Sequence, residues 1–427
     1  MSTLATSVRD NSVDISLQLL DTLAADYPRQ DFAVRLWSGE IWGNSLQPRF
    51  TLVLKHPGAL RKMLLGASEV TLGEAYIFDD IDIEGELEAA FEFGDYLVAH
   101  ELELTEKLRL AGFLLRLPHN GHRGLHLVPQ LHGRLHSKHR DRAAVSYHYN
   151  LSNDFYQLWL DRRMVYSCAY FQTGEEDIDT AQAQKLDYLC RKLRLRPGER
   201  LLDVGCGWGG LILYAAQHYG VKAYGVTLSE PQAELARARI REAGLSDRCE
   251  VQLRDYRDLP PEPAYDKIVS VGMFEHIGES CLPEYFQHVR ELLRSGGVFL
   301  NHGIAYAATY RRKGPSFMDK YVFPDAGLVP IGTTIRAAEA CGFEVRDVES
   351  LREHYARTLR HWAHRLESHY EDAKRITNET VYRIWRIYMS GSAHAFAMGR
   401  VNIYQVLFSK PDVGNAHLPL TRGDWYV

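Results

Sequence analysis

The run Leu201–Gly210, LLDVGCGWGG, constrains this chain most: an apolar strand breaks into spaced glycines and then enters a helical pattern. Gly205, Gly207 and Gly209 permit a tight turn and close backbone approach to a ligand. The surroundings alternate strictly from about residue 178. Helix 180–195 precedes strand RLLDVGC, and helix 208–219, strand VKAYGVTLS and helix 231–243 follow. Then come strands CEVQLRDY and DKIVSVG, helix 282–293 and strand GGVFLNHGI. After an insertion the pattern predicts a helix near 335–340, strand EVRDVESL, helices over about 355–396, and strand NIYQVLFSK. This predicts an α/β fold with a parallel, doubly wound sheet, the last strand reading as an antiparallel edge addition.

The glycine spacing narrows the ligand. Dinucleotide sites use GxGxxG, whereas this loop reads DxGxGxG. Asp203, ahead of the first glycine, is placed to accept from an amino group, which suits the aminocarboxypropyl arm of S-adenosylmethionine better than a pyrophosphate. Many nucleotide-binding sheets end their second strand with an acid for the ribose hydroxyls. Here Thr227 stands there, with Gln232 just inside the next helix, and a hydroxyl and an amide can make the same bonds. The third strand ends in Asp255 and Tyr256, suited to an adenine amino group and ring face. Each alone fits turn chemistry; their succession at neighbouring strand ends points to one cofactor site.

A length of 427 residues predicts two or three domains. Residues 1–117 mix an apolar helix, short strands around Gly39 and a Leu/Glu-rich helical stretch over 86–117, an α+β texture without a catalytic motif. Residues 118–145 form a His- and Arg-rich junction, readable as a solvated linker or as a patch for anionic headgroups, and residues 146–427 form the sheet domain. The junction's six histidines are irregularly spaced, so no metal site is expected. The net charge of −5 excludes a bulk polyanion binder, and no nucleic-acid partner is expected. Six scattered cysteines without a CxxC pair suit a reducing cytosol. The start MSTLATSVRD carries no apolar core, so no secretory signal is expected. No apolar run reaches the roughly 18–20 residues that span a bilayer, so lipid would be met from the surface.

Further segments are HYNLSNDFY, MVYSCAYF, SVGMFEHIG, NHGI and HYARTL, in order between about 145 and 410. With the glycine loop and GVTLS they resemble the cyclopropane fatty acid synthase family, and GEAYIFDDIDIEG near residue 80 resembles the small lipid-binding domain of its bacterial members. The resemblance implies a class I methyltransferase fold and transfer of a methylene group from S-adenosylmethionine to the cis double bond of phospholipid acyl chains. It also implies a homodimer, cytoplasmic and peripheral on the inner face of the phospholipid membrane. By motif, Tyr166, Ser167, Gly205, Thr227, Gln232, Asp255 and Tyr256 would hold the co-substrate. A bicarbonate ion would be held by Cys168, Glu275, His302, Tyr355 and the backbone N–H of Ile304, with Tyr149 lining the site.

That set suits the chemistry. An alkene is a weak nucleophile, a sulfonium methyl a strong electrophile, and transfer leaves a carbocation that closes to a ring on losing one proton. The base must be close yet unable to trap the cation, as a small anion held by several polar groups would be. Tyrosine faces can stabilise the passing cation. The family's C-A-x-A-F pattern reads Ser392-Ala393-His394-Ala395-Phe396 here, so a required nucleophilic cysteine is not expected.

The insertion 305–330 is long for a connection. Phe317, Tyr321 and Phe323 could line an acyl channel with Arg311, Arg312 and Lys313 at phosphate headgroups, or the loop could be a surface excursion with its aromatics in the core. Two rival activities share the scaffold: a methyltransferase making methyl- or methylene-branched fatty acids, and a small-molecule amine N-methyltransferase. A non-catalytic lipid carrier fits the intact glycine loop and ligand set less well.

Overall fold

The computed structural model describes residues 11–24, 26–43, 47–99, 103–119, 132–149, 151–310, 314 and 316–426, without the side chains of 146, 147 and 149. The chain packs as two units. One comprises Met1–Val128, Lys313–Val322 and Glu379–His394; the other comprises Pro129–Arg312, Phe323–Asn378 and Ala395–Val427.

In the N-terminal unit α1 (Asn11–Ala24) precedes β1 (Phe32–Arg35), β2 (Ile41–Trp42) and β3 (Phe50–Leu54). Then come α2 (Ala59–Leu64), α3 (Glu69–Ile77), β4 (Ile81–Gly85), α4 (Leu87–Ala99) and α5 (Leu104–Arg116). The sheet order is β2-β1-β3-β4, with β1 and β3 parallel and the outer strands antiparallel. The Leu/Glu-rich stretch is two helices; Glu106 accepts the Glu103 backbone N–H at 2.9 Å and so starts the second.

Two distant segments complete this unit. The ring of Phe317, in the short helix Phe317–Tyr321, lies where a Cβ on Gly73 would come within 2.3 Å of it. Lys320 and Tyr321 both donate to Glu74. From residues 379–394, buried Arg383 donates to the Tyr76 and Ile81 carbonyls, and Arg386 to Tyr76 Oη and the Ile83 carbonyl. Phe317 and Tyr321 are therefore core residues of this unit rather than channel lining, because a glycine on α3 leaves room for the ring. Arg311, Arg312 and Lys313 lie outside the described residues.

The second unit opens with α6 (Lys138–Tyr149) and α7 (Asn153–Gln157). The alternation follows as α8 (Ile178–Leu193), β5 (Arg200–Val204), α9 (Gly210–Tyr219), β6 (Lys222–Thr227), α10 (Glu230–Glu242), β7 (Cys249–Leu253), β8 (Tyr265–Val271), α11 (Leu282–Leu292) and β9 (Leu293–Tyr306). Beyond α12, the Phe317–Tyr321 helix, lie α13 (Ile331–Ala340), β10 (Glu344–Ser350), α14 (Arg352–Ser368), α15 (Tyr370–Ile376), α16 (Glu379–Ala397), which belongs to the N-terminal unit as far as His394, and β11 (Val401–Ser409).

Their sheet runs β10-β11-β9-β8-β5-β6-β7. Strands β5 to β9 are parallel, and β11 is antiparallel to both its neighbours. The expected edge position of β11 is thus corrected. Its residues Gln405 to Ser409 are buried and need neighbours on both sides, whereas the more exposed β10 can tolerate the rim. Alternate residues feed two apolar layers. Leu201, Ala223 and Val269 meet Leu189, Leu211 and Ala215 on one face, and Leu202, Ile268 and Phe299 meet Leu282, Phe286 and Val289 on the other. Asp177 caps α8 by accepting the Thr180 N–H at 2.7 Å. No described helix is long and apolar enough to cross a membrane.

Candidate active site

One cavity opens at the C-terminal ends of β5 to β8, where ligands bind in open α/β sheets. Its wall includes all nine residues expected to hold the co-substrate: Tyr166, Ser167, Asp203, Gly205, Gly207, Thr227, Gln232, Asp255 and Tyr256. Local structure explains each position. Gly205 adopts φ +85°, and a Cβ there would lie 2.9 Å from Met273 Cβ, so only glycine keeps this wall open. Thr227 donates to Gln232 Oε1 at 2.8 Å and accepts the Ser229 N–H at 3.2 Å, which fixes both side chains at the end of β6.

Asp255 starts the 3-10 turn Tyr256–Asp258 and is already ion-paired: Arg257 donates to its two oxygens at 2.9 and 2.6 Å. Arg257 also pairs with Asp141 at 3.0 Å and donates to the His136 carbonyl at 3.2 Å. Asp141 and His136 themselves line the cavity. The later half of the junction is therefore helix α6 and part of the site wall, while residues 120–131 lie outside the described set. Sequence reading missed His136, Asp141 and Arg257; Asp141, the junction's single acid among many bases, was the available signal.

Lys185 was missed as well. It projects from α8 into the same wall and donates to Ser167 Oγ at 2.9 Å. Burial holds its ammonium down to about 8, opposed by Asp161, Cys168 and Asp203. Burial pushes the Asp203 carboxyl up to about 7 against the pull of Lys185, and Asp203 Oδ1 has no hydrogen-bond partner among the described residues. The signal in the sequence is a lysine four residues after Ala181 and four before Leu189, on the apolar face of the helix.

Three of the expected anion ligands adjoin the cavity wall: Cys168 follows Ser167, Glu275 precedes His276, and the His302 carbonyl accepts the Gly272 N–H at 2.9 Å. His302 and Ile304 are alternate residues of β9 and share one face. Glu275, in the turn Phe274–His276, accepts the Ile304 N–H on Oε1 at 2.7 Å. A buried carboxylate needs a donor, and the Ile304 backbone supplies it. In this structure Ile304 therefore fixes Glu275. Burial pushes the Glu275 carboxyl up to about 7, with the Ile304 bond opposing. Glu275 Oε2 is buried without a partner among the described residues. Burial holds His302 neutral, far below its usual pKa. Gln405, directly opposite on β11, donates to His302 Nδ1 at 3.3 Å as its amide is oriented here. His302 Nε2 is buried and also lacks a partner among the described residues.

Leu351 ties the remaining ligands to this strand pair. Its N–H donates to the carbonyl of Ile403, which lies opposite Ile304. Its own carbonyl accepts the Tyr355 N–H at 3.0 Å and lies 3.8 Å from Cys168 Sγ, whose thiol has a nearer acceptor in the Ala169 carbonyl at 3.2 Å. Cys168 is wholly buried, and burial drives its pKa up, so it is a thiol and a donor rather than a thiolate nucleophile. Tyr355 packs on Phe396 with ring centroids 4.7 Å apart. Tyr149 ends α6, and its side chain lies outside the described residues. Phe323 packs on His148, with ring centroids 4.1 Å apart.

Residues 136–406 match the sequence model of the mycolic acid cyclopropane synthetase family, and residues 19–94 match a domain family of unknown function. A Pseudomonas putida protein named "Probable fatty acid methyltransferase" is 41% identical over 398 residues, covering 92% of this chain and 95% of its own length. The cyclopropane-fatty-acyl-phospholipid synthase of Escherichia coli strain K12 is 35% identical over 304 residues, 71% of this chain and 77% of that one. The structure of mycolic acid cyclopropane synthase CmaA1 complexed with SAH and CTAB superimposes with a TM-score of 0.60 at 35% identity, over 62% of this chain and 97% of that one. With the mixed, mostly parallel sheet and the cavity at its strand ends, these matches place the chain in the cyclopropane synthase family of S-adenosylmethionine-dependent methyltransferases.

Proposed function

We propose that this enzyme converts the cis double bond of unsaturated phospholipid acyl chains into a cyclopropane ring, using S-adenosylmethionine as the one-carbon donor. The observation that carries this reading is two buried atoms without partners among the described residues, Glu275 Oε2 and His302 Nε2, on residues that adjoin the cavity wall: Glu275 precedes His276, and the His302 carbonyl accepts the Gly272 N–H at 2.9 Å. Bicarbonate, which carries both a hydroxyl donor and anionic acceptors, can pair with a carboxyl oxygen and an imidazole nitrogen at once. Bound there, bicarbonate would supply the base that takes the proton lost as the ring closes. The chain's own residues do the rest. Ile304 orients Glu275, Gln405 holds His302 Nδ1, and burial keeps the Cys168 thiol from trapping a carbocation.

The N-terminal unit is proposed to dock on the membrane. On α5, Leu104, Leu108 and Leu115 are exposed and Lys107, Arg109 and Arg116 stand among them, a composition suited to an anionic lipid surface.

A second reading has a specific observation behind it: the relative that matches along nearly the whole chain carries the name of a fatty acid methyltransferase. Methyl branching shares every step up to the carbocation. Product analysis separates the two. The protein is incubated with monounsaturated phospholipid vesicles and methyl-labelled S-adenosylmethionine, and the fatty acid esters are analysed by gas chromatography and mass spectrometry. A labelled product that resists mild hydrogenation is the expected cyclopropane. Hydrogen uptake moves the assignment to a methylene branch. Unlabelled lipid, with the co-substrate still bound, turns the search to amine substrates.

A further inference from the structure

Helix α8 carries two lysines that are each 1% exposed, Lys185 and Lys192, and their surroundings differ. Lys192 is paired with Asp347 and Glu349 and lies over the rings of Tyr188 and Trp425. It is a buried cation fully compensated from within the chain. Lys185 makes one hydrogen bond among the described residues, to the neutral hydroxyl of Ser167, and no ion pair. Asp161, the charge that favours its ammonium most, is bonded to the Arg163 and Val165 backbone N–H groups rather than to Lys185, and an ammonium has three donors to satisfy.

Across the same cavity wall Asp203 presents the opposite case, a buried carboxyl with an unpartnered Oδ1. Lys185 and Asp203 influence each other electrostatically yet form no ion pair. Two opposite charges held apart on one cavity, each short of partners, are complementary to a ligand carrying both charges itself. An α-amino acid is such a ligand: its ammonium suits a carboxylate, and its carboxylate suits an ammonium with a neighbouring hydroxyl.

We propose that Lys185, together with Ser167, binds the carboxylate of the co-substrate's amino-acid arm while Asp203 binds its ammonium, so that the cavity selects ligands with a zwitterionic tail. The proposal rests on the reading of this cavity as the S-adenosylmethionine site. Lys185 then discriminates between the intact co-substrate and adenosine thioethers that lack the amino-acid group, which have the same purine and ribose.

The test is calorimetric titration of the full-length protein with S-adenosylhomocysteine and with its decarboxylated analogue, in the wild type and in Lys185→Met. Methionine keeps the apolar stem and removes the charge. In the wild type, losing the carboxylate weakens binding by about 10- to 100-fold, the range for a charge-assisted hydrogen bond. Lys185→Met weakens S-adenosylhomocysteine by a similar factor and leaves the decarboxylated analogue within about twofold, since the lysine has nothing left to bind. Equal losses for both ligands would make Lys185 a purely structural residue and overturn the proposal, as would a wild type indifferent to the carboxylate. A wild type that binds neither compound would defeat the co-substrate reading itself, a separate result. Should Lys185→Met not fold, Lys185→Gln carries the same comparison, the amide keeping hydrogen-bonding capacity in the buried site.

Discussion

The co-substrate cavity and the adjoining ligand cluster are solved in opposite ways. The cavity is shaped first by backbone, glycine turns and strand ends, and its wall side chains are mostly paired with one another, as Thr227 with Gln232, Lys185 with Ser167 and Arg257 with Asp255. The cluster is built from side chains, each with one atom tied to the chain and one left over. Ile304 holds Glu275 Oε1 and leaves Oε2; Gln405 holds His302 Nδ1 and leaves Nε2. A binding site can be assembled from what the backbone does at a turn. A reactive site needs groups aimed beforehand, and the aim comes from neighbours far apart in sequence.

If that contrast is right, damage to the cluster strikes turnover and spares binding. Glu275→Gln keeps shape and removes the charge. We expect kcat to fall by about 10²- to 10³-fold, with S-adenosylhomocysteine affinity within about twofold of the wild type. The wild-type kcat should rise with pH through about 7, where Glu275 ionises, and the variant should lose that step. Stability moves the other way. The folded carboxyl holds its proton above its ordinary value of 4.5, so between 4.5 and about 7 the folded state binds more protons and stability falls as pH rises. Glu275→Gln should remove that slope from denaturant melts measured across the window. Loss of co-substrate binding in the variant would erase the distinction between the two regions.

The reciprocal change is Gly225→Ala on β6. A Cβ there would lie 2.6 Å from Cys206 Sγ and 2.7 Å from its Cβ, and Cys206 sits inside the glycine loop. A side chain cannot rotate its own Cβ away, so the loop must move. We expect a loss of about 1–3 kcal/mol in stability, as for overpacking. S-adenosylhomocysteine affinity should fall roughly tenfold, about 1.4 kcal/mol. For whatever fraction binds at saturation, kcat should stay close to wild type. An equal fall in kcat at saturation would mean that the cavity aims the cluster too.

The two regions also differed in how far they could be read. The cavity was legible because glycine spacing and strand ends are local: every residue expected there lines it. The ligand types of the cluster came from motif resemblance, but their connections did not. That the Ile304 N–H meets Glu275 depends on where a turn after β8 meets β9. That Gln405 faces His302 depends on β11 lying inside the sheet, and strand order is not written in periodicity. Lys185 passed as one polar residue in an amphipathic helix; only its place on the buried face set it apart. Phe317 and Tyr321 suggested a channel because an insertion with aromatics fits either role, and the gap left by Gly73, some 240 residues earlier in the chain, decided for the core.

The smallest effect expected is that of Ser392→Cys. The substitution restores the thiol that the family pattern carries at this position, on a part of α16 that packs with the N-terminal unit. If turnover relied on a covalent thiol there, the natural serine would leave the enzyme impaired, and the new cysteine should raise kcat by orders of magnitude. If turnover relies on the aimed groups of Glu275 and His302, the exchange of one oxygen for one sulfur at a half-buried position should leave kcat within about twofold and stability within about 0.5 kcal/mol, the usual range away from special features. Steady-state rates on labelled phospholipid decide between these outcomes. A large gain would move the chemistry away from the ligand cluster and leave its buried, unpartnered atoms without a role.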